Sequence, residues 1–167
     1  MRLLRALVLV ALVCLAAYVG YRFFAKPAGQ ATGNTIAVYY CKTDGQTLVP
    51  WNISIGTPRE VNALARYATA QALVGPPPGV EAIRFPPGTI ARSVAVSGKT
   101  VTVDLHGDFA ASGGGSFGES GEFKALVWTL TALPGIDAVQ IEIDGARVPT
   151  LPGGHLELDE PLTRQSW

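Results

Sequence analysis

The 167-residue sequence predicts an α+β fold, with two helices packed on one face of a mixed, mainly antiparallel sheet of about five strands and an N-terminal transmembrane helix. Three observations carry this prediction: an uncharged apolar run near the start, several short segments of alternating apolar residues, and two segments with helical apolar spacing. We expect a transmembrane signal anchor at residues 1–25, a flexible linker at 26–33 and a folded domain at 34–167.

The N-terminal segment has the composition of a membrane anchor. No charged residue occurs between Ala6 and Tyr21, basic residues flank the run on both sides, and residues 3–24 would span about 33 Å as a helix. A cleaved signal peptide and lipidation of Cys14 are the alternatives, but aromatic residues follow the run and Val13 precedes the cysteine. The sequence therefore predicts a single-pass protein of the cytoplasmic membrane, with its domain on the extracytoplasmic side.

The first half of the domain reads as two strands followed by a helix. Apolar residues alternate along residues 36–41, and residues 48–55 form a second extended run. Thr57 and Pro58 are typical of a helix start, the spacing of apolar residues from Val61 to Leu73 is helical, and Gly75 ends the pattern.

The second half contains the clearest local signal, a hairpin. After a short extended segment at 82–85, apolar residues alternate along 94–96 and 101–105, and Gly98-Lys99 forms the two-residue turn between them. A second helix is predicted over 123–130 and a further strand over 139–143. The acidic tail from Pro149 onward is interrupted by Gly and Pro and predicts a loop with a short extended return.

Charge and cysteine content exclude some functions. From Asn34 onward the chain has nine basic and thirteen acidic residues, a net charge of −4, which argues against a nucleic-acid partner. The two cysteines are Cys14, inside the predicted anchor, and Cys41, at the end of a predicted strand. We therefore expect no intramolecular disulfide, and Cys41 is interpreted as a buried small apolar residue.

A glycine-rich loop precedes the second helix. Residues 113–118 match the pattern G-x-G-x-x-G, but seven residues separate them from the strand that ends near Leu105, whereas a dinucleotide site follows its strand almost at once. No cofactor is therefore expected. The loop either leads into a helix capped by Ser116 and Glu119, or its exposed amides bind a sugar or carboxylate. The candidate ligand or partner loop consists of Gly113, Gly114, Gly115, Ser116 and Glu119.

Two groups of acidic residues each include a histidine and are candidate metal sites. Asp104, His106 and Asp108 share one strand face, which alternation predicts to be the outward one. His155 precedes the acidic residues of 157–160 in a tail without a predicted rigid element. Neither histidine lies beside a nucleophile in a strained turn. The sequence predicts no catalytic, cofactor-binding or metal-binding residue.

Six short segments occur in an order that resembles a known family, the GerMN (Germane) domain. These are Leu73–Pro76, Phe85–Thr89, Val101–Leu105, Leu126–Leu130, Leu133–Gly135 and Val139–Gly145. The resemblance implies a bacterial α+β domain, similar to the ring-building modules of secretion systems, that is membrane-anchored or carried by lipoproteins outside the cytoplasmic membrane. No catalytic residues are established for the family. This chain departs from the sporulation prototype in having one copy and a predicted span instead of a lipidated cysteine.

The expected function follows from the absence of a site and from the resemblance. We expect a membrane-anchored, non-enzymatic scaffold or assembly module of the cell envelope that binds envelope proteins or its own copies. The alternative is a module that binds peptidoglycan or a small ligand beside cell-wall remodelling enzymes. The partners expected are the cytoplasmic membrane, through residues 3–24, and an envelope protein.

Overall fold

The structure, a computed structural model, describes residues 35–57, 59–111 and 115–167. Two helices, five strands and two short 3-10 helices follow one another along the described residues. In chain order they are β1 (Thr35–Cys41), β2 (Leu48–Ser54), α1 (Val61–Val74), β3 (Ile90–Ser97), β4 (Thr100–His106), a 3-10 helix (Phe109–Ala111), α2 (Gly115–Leu130), β5 (Ala138–Ile143) and a 3-10 helix (Arg164–Ser166).

The strands form two sheets, where the sequence predicts one. β1 and β2 form an antiparallel pair, and β3, β4 and β5 form a three-stranded sheet in which β4 and β5 run parallel. The sheets stay separate because the outer edge of β1 faces α2. There the amide of Tyr39 donates a 2.8 Å hydrogen bond to Oγ1 of Thr129 instead of pairing with another strand. Five strands with mixed, mainly antiparallel pairing are confirmed, and the single sheet is wrong.

The two helices differ in how deeply they are buried. α1 buries one side, through five residues such as Leu64 and Ala68, whereas ten of the sixteen residues of α2 are buried. Phe123 and Leu126 of α2 are fully enclosed, together with Val103 of β4. The alternation of apolar residues in β1 predicts that one face is buried, but both faces are buried. This is because β1 lies between α2 and the rest of the core.

The predicted hairpin is confirmed. β3 and β4 pair antiparallel from Ile90↔His106 to Ser97↔Thr100, with a bulge between Ala91 and Ser93. The turn needs glycine because Gly98 has a φ of 58°, in the left-handed region that other residues avoid. This hairpin and β5 form the larger sheet, against which α1 packs through β3.

The start of α1 and the segment 82–85 differ from the prediction, and α2 begins eight residues before its predicted start. α1 begins at Val61, not at Pro58, and Glu60 at its N-cap position makes no side-chain capping bond. Residues 82–85 form no strand, because only the amide of Ile83 pairs with β1, donating to the carbonyl oxygen of Cys41 at 2.8 Å. One hydrogen bond holds the segment against β1 but does not extend the sheet.

The predicted localisation is corrected. α1 has 14 residues and α2 has 16, fewer than the roughly 20 that a bilayer crossing needs, and no described helix is long and apolar enough to cross a membrane. The predicted anchor at residues 3–24 and the linker at 26–33 lie outside the described residues. We therefore do not retain the prediction of a single-pass membrane protein.

The bond between Tyr39 and Thr129 gives a test of how the first sheet is held. Thr129 and Thr69 are both fully buried in helices, and each hydroxyl donates to the carbonyl oxygen four residues earlier, but only Thr129 also accepts a bond from another element. Thr129→Val removes the oxygen that accepts the hydrogen bond of the buried Tyr39 amide. We expect the free energy of unfolding in urea to fall by about 1–3 kcal/mol.

Thr69→Val is the matched control, because the carbonyl that its hydroxyl contacts keeps its own helical hydrogen bond. We expect this variant to stay within about 0.5 kcal/mol of the unsubstituted chain. Equal losses of stability in the two variants would contradict the role assigned to the bond between the strand and the helix.

Candidate functional site

The first turns of α2 and the C-terminal tail enclose an open cleft of about 400 Å³. α2 contributes Ser116, Glu119 and Ser120, and the tail contributes residues 155–157 and 159–162 together with Ser166. Gly115 is the first helical residue, so Ser116 lies inside the helix and does not cap it. Of the predicted ligand loop, Gly113 and Gly114 lie outside the described residues, while Ser116 and Glu119 line the cleft.

The tail that forms the other wall is anchored, contrary to the expectation of a tail without a rigid element. Its residues Leu151, Leu158 and Leu162 are buried in the core. Leu162 exchanges two 2.8 Å backbone hydrogen bonds with Val139 of β5, and the amide of Leu158 donates to the carbonyl oxygen of Pro149 at 2.8 Å. Leu151 and Leu158 do not line the cleft, Leu162 does, and the acidic residues of 157–160 are exposed at it.

The cleft is strongly acidic. The carboxylates of Glu119, Glu157, Asp159 and Glu160 line it, and no Lys or Arg of the described residues does. The three tail carboxylates are exposed, whereas Glu119 is only 3% exposed. A negative lining attracts cations and repels carboxylates and phosphates. It therefore disfavours a small anion as the ligand at this end of the predicted loop.

Glu119 joins the two walls of the cleft. Its Oε2 accepts a 2.8 Å hydrogen bond from the backbone amide of His155, so it does not form the predicted capping box. Gly154 lies directly against it, since a Cβ at that position would come within 2.7 Å of Oε2. The carboxylate and the tail backbone therefore hold each other in place.

Glu122 lies one turn further along α2 and was not predicted to belong to the site. It is 5% exposed, and its Oε2 has no hydrogen-bond partner among the described residues. Burial, and secondarily the charge of Glu119, raises the pKa of Glu122 to about 8. Glu122 thus keeps its proton at neutral pH beside the acidic cleft.

The sequence contained only a weak sign of this arrangement. Glu119 and the tail are separated by more than thirty residues, and no periodicity links them. The available signal was the spacing of four leucines in the tail, at 151, 156, 158 and 162, which indicates a segment with a buried side.

The two sets of residues that the sequence offers as metal ligands do not form a metal site in the described structure. Within residues 35–57, 59–111 and 115–167, no group of three His, Cys, Asp or Glu side chains is placed to hold a metal ion. Asp104 is buried, not outward, because its Oδ1 accepts a 2.8 Å hydrogen bond from the amide of Gly145 and its Oδ2 lies 3.7 Å from Arg92. The exposed His106 contacts Asp144.

Cys41 is a poor candidate for a nucleophile. It is buried, as predicted, and burial raises the pKa of its thiol, so little of the reactive thiolate forms at neutral pH. The chemistry that the described cleft supports is binding of a positively charged group.

Comparison with known proteins identifies similar domains. Residues 37–149 match the model of the family Germane, described as sporulation and spore germination. The first GerMN domain of the sporulation protein GerM from Bacillus subtilis is 21% identical with a TM-score of 0.62, and the match covers 78% of this chain and 98% of that one. The tandem GerMN domains of the same protein are 22% identical with a TM-score of 0.60, and the match covers 78% of this chain and 47% of that one.

A third similar structure comes from another bacterium. A "Putative Lipoprotein" from Clostridium perfringens is 18% identical with a TM-score of 0.54, and the match covers 83% of this chain and 93% of that one. No curated protein sequence matches significantly. At these identities the solved structures support the α+β fold, and the family match supports membership.

The raised pKa of Glu122 predicts a pH-dependent stability. Its unfolded value is near 4.5 and its folded value about 8, so its contribution to stability is complete below pH 4.5 and is lost as the pH rises towards 8. Glu122→Gln removes this loss. Since one pKa unit corresponds to about 1.4 kcal/mol and partial solvent screening reduces it, we expect the variant to gain roughly 1–3 kcal/mol over the unsubstituted chain between pH 4.5 and 8.

Urea denaturation across this pH range measures the difference. Glu81→Gln, at an exposed position outside the cleft, is the control and should show a constant difference from the unsubstituted chain. A flat difference for Glu122→Gln as well would mean that Glu122 does not titrate in this window.

Proposed function

The chain belongs to the Germane family of sporulation and spore germination domains, and we propose that it is a non-enzymatic protein-binding module of the bacterial cell envelope. The observation that carries the proposal is the acidic cleft, in which four carboxylates and, among the described residues, no Lys or Arg converge between α2 and the anchored tail. We propose that the cleft binds a basic segment of an envelope protein.

A basic protein segment fits this cleft better than a metal ion. A metal ion needs several ligands at fixed short distances, and the described residues contain no such group. A Lys or Arg side chain needs only nearby negative charge and a few acceptors. Glu119, held by the His155 amide, supplies a fixed acceptor, and the exposed tail carboxylates supply charge along an open surface.

Two further observations support a role at the cell envelope and a function without catalysis. The similar Clostridium perfringens protein is named as a lipoprotein and the similar Bacillus subtilis protein as a sporulation protein, which favours a role at the cell envelope. Germane domains are not a known enzyme family, and the serines of the described cleft have no hydrogen-bonded base beside them. The alternative ligand is an amine-bearing fragment of the cell wall.

Neutralising the tail carboxylates is expected to weaken binding of a cationic probe. The variant Glu157→Gln, Asp159→Asn, Glu160→Gln of the full chain is titrated with an acetylated, amidated tetralysine peptide in about 50 mM salt, where screening is weak. Because each exposed ion pair contributes about 0.2–1 kcal/mol, we expect the Kd to rise roughly tenfold. Fluorescence anisotropy measures it.

The matched control is Glu60→Gln, Glu81→Gln, Asp137→Asn, which changes the net charge equally at positions outside the cleft. Its Kd should stay within about twofold of the unsubstituted chain. An equal weakening would show that overall charge, not the cleft, binds the peptide.

The partner itself is tested in cells. A photoreactive residue at Ser120, which lines the cleft, should crosslink to an envelope protein through a Lys- or Arg-rich segment, whereas the same residue at Glu81 should not. Crosslinks from Ser120 to cell-wall material instead of protein would overturn the proposal in favour of the alternative.

A further inference from the structure

A second concave surface lies on a different part of the domain and has the opposite charge. It is a groove of about 770 Å³ between α1 and the first part of β3. Its described lining comprises Arg66, Ala70, Leu73 and Val74 of α1 and residues 89–95, and within this part of the chain it includes two arginines and no acidic residue. In a domain of net charge −4, such a lining is a local exception.

The rim of the groove is apolar and exposed. Val74 is 74% exposed and Ile90 is 53% exposed, and both line the groove. Covering such exposed aliphatic side chains stabilises a complex with a partner. The stabilisation is about 25 cal/mol for each Å² of apolar surface removed from water.

β3 is an edge strand whose outer side is closed along only half its length. Asn62 of α1 accepts a 2.8 Å hydrogen bond from the amide of Val96, and Nε of Arg66 donates a 3.2 Å hydrogen bond to the carbonyl oxygen of Val94. These side chains satisfy backbone groups that would otherwise pair with another strand. No described side chain of α1 makes such a bond to residues 90–93, which line the groove together with residues 89, 94 and 95.

The two arginines have different surroundings. Arg92 lies 3.7 Å from Asp104 and 3.5 Å from Asp144, so ion pairs fix its position and offset part of its charge. Arg66 has no carboxylate within 4 Å among the described residues. It is thus the group in the groove whose charge is not compensated, and a carboxylate is its natural partner.

We propose that this groove binds an extended acidic segment of a partner protein, which pairs with β3 at residues 90–93, places a carboxylate at Arg66 and covers Val74 and Ile90. Pairing along a strand edge supplies backbone hydrogen bonds, and the groove selects the side chains. The arginines disfavour basic strands, so the charge that attracts an acidic segment also provides selectivity. The site is separate from the acidic cleft and does not depend on the function proposed for it.

The experiment selects binders without assuming a partner. A display library of random dodecapeptides is selected on the full chain, and the recovered peptides are titrated against variants. We expect peptides rich in β-branched residues with at least one Asp or Glu. Ala70→Trp, which fills the groove, should raise the Kd of these peptides at least tenfold. Ala63→Trp, on an exposed part of α1 outside the groove, should leave the Kd within twofold of the unsubstituted chain.

Charge reversal tests the role of Arg66. Arg66→Glu should weaken acidic peptides at least tenfold and favour peptides with Lys in the same place, whereas Arg59→Glu makes the same charge change outside the groove and should do neither. Hydrogen exchange should show slower exchange of amides within residues 90–93 when peptide is bound, which mere coverage of the arginine would not produce.

Several results would overturn the proposal. They are recovery of no binders, recovery of peptides without acidic residues, or peptides that bind Ala70→Trp as well as the unsubstituted chain. A dimer that Ala70→Trp converts to a monomer would identify a second copy of this chain, not an acidic partner segment, as the occupant.

Discussion

The burial of α2 is the constraint on which the rest of the structure depends. A helix buried at ten of its sixteen residues needs neighbours on several sides, and β1, β5, α1 and the C-terminal 3-10 helix supply them. This arrangement prevents the strands from joining into one sheet, because α2 occupies the outer edge of β1. It also draws Glu119 and Glu122 into the interior. The position of the acidic cleft therefore follows from the position of the core.

Local patterns predicted the local elements well. The hairpin around Gly98 was identified because alternation and turn chemistry act over a few residues, and the end of α1 at Gly75 for the same reason. The division into two sheets was not predicted, because it depends on the long-range packing of α2 against β1, which includes the bond between Tyr39 and Thr129. Nothing in the spacing of a threonine within a helix indicates that its hydroxyl replaces a strand.

The candidate site was predicted only in part. Ser116 and Glu119 were identified from a glycine-rich loop, and the structure places them in the cleft, but Glu119 contacts the tail and does not cap its helix. The anchoring of the tail in the core was not predicted, because the prolines and glycines between its leucines obscure the pattern of a segment with a buried side. The groove beside β3 was missed altogether, since it arises from the packing of α1 against an edge strand.

The bond between Tyr39 and Thr129 joins residues ninety positions apart, and this separation bears on how the chain folds. At synthesis rates of about 5–20 residues per second, β1 is made roughly 5–20 s before the helix that covers it. During that interval β2 is its strand neighbour, and its apolar residues and the backbone edge that α2 later covers are accessible to other chains. Contacts of such long range also slow folding, so this domain depends more than a local helical bundle on protection while it is being made.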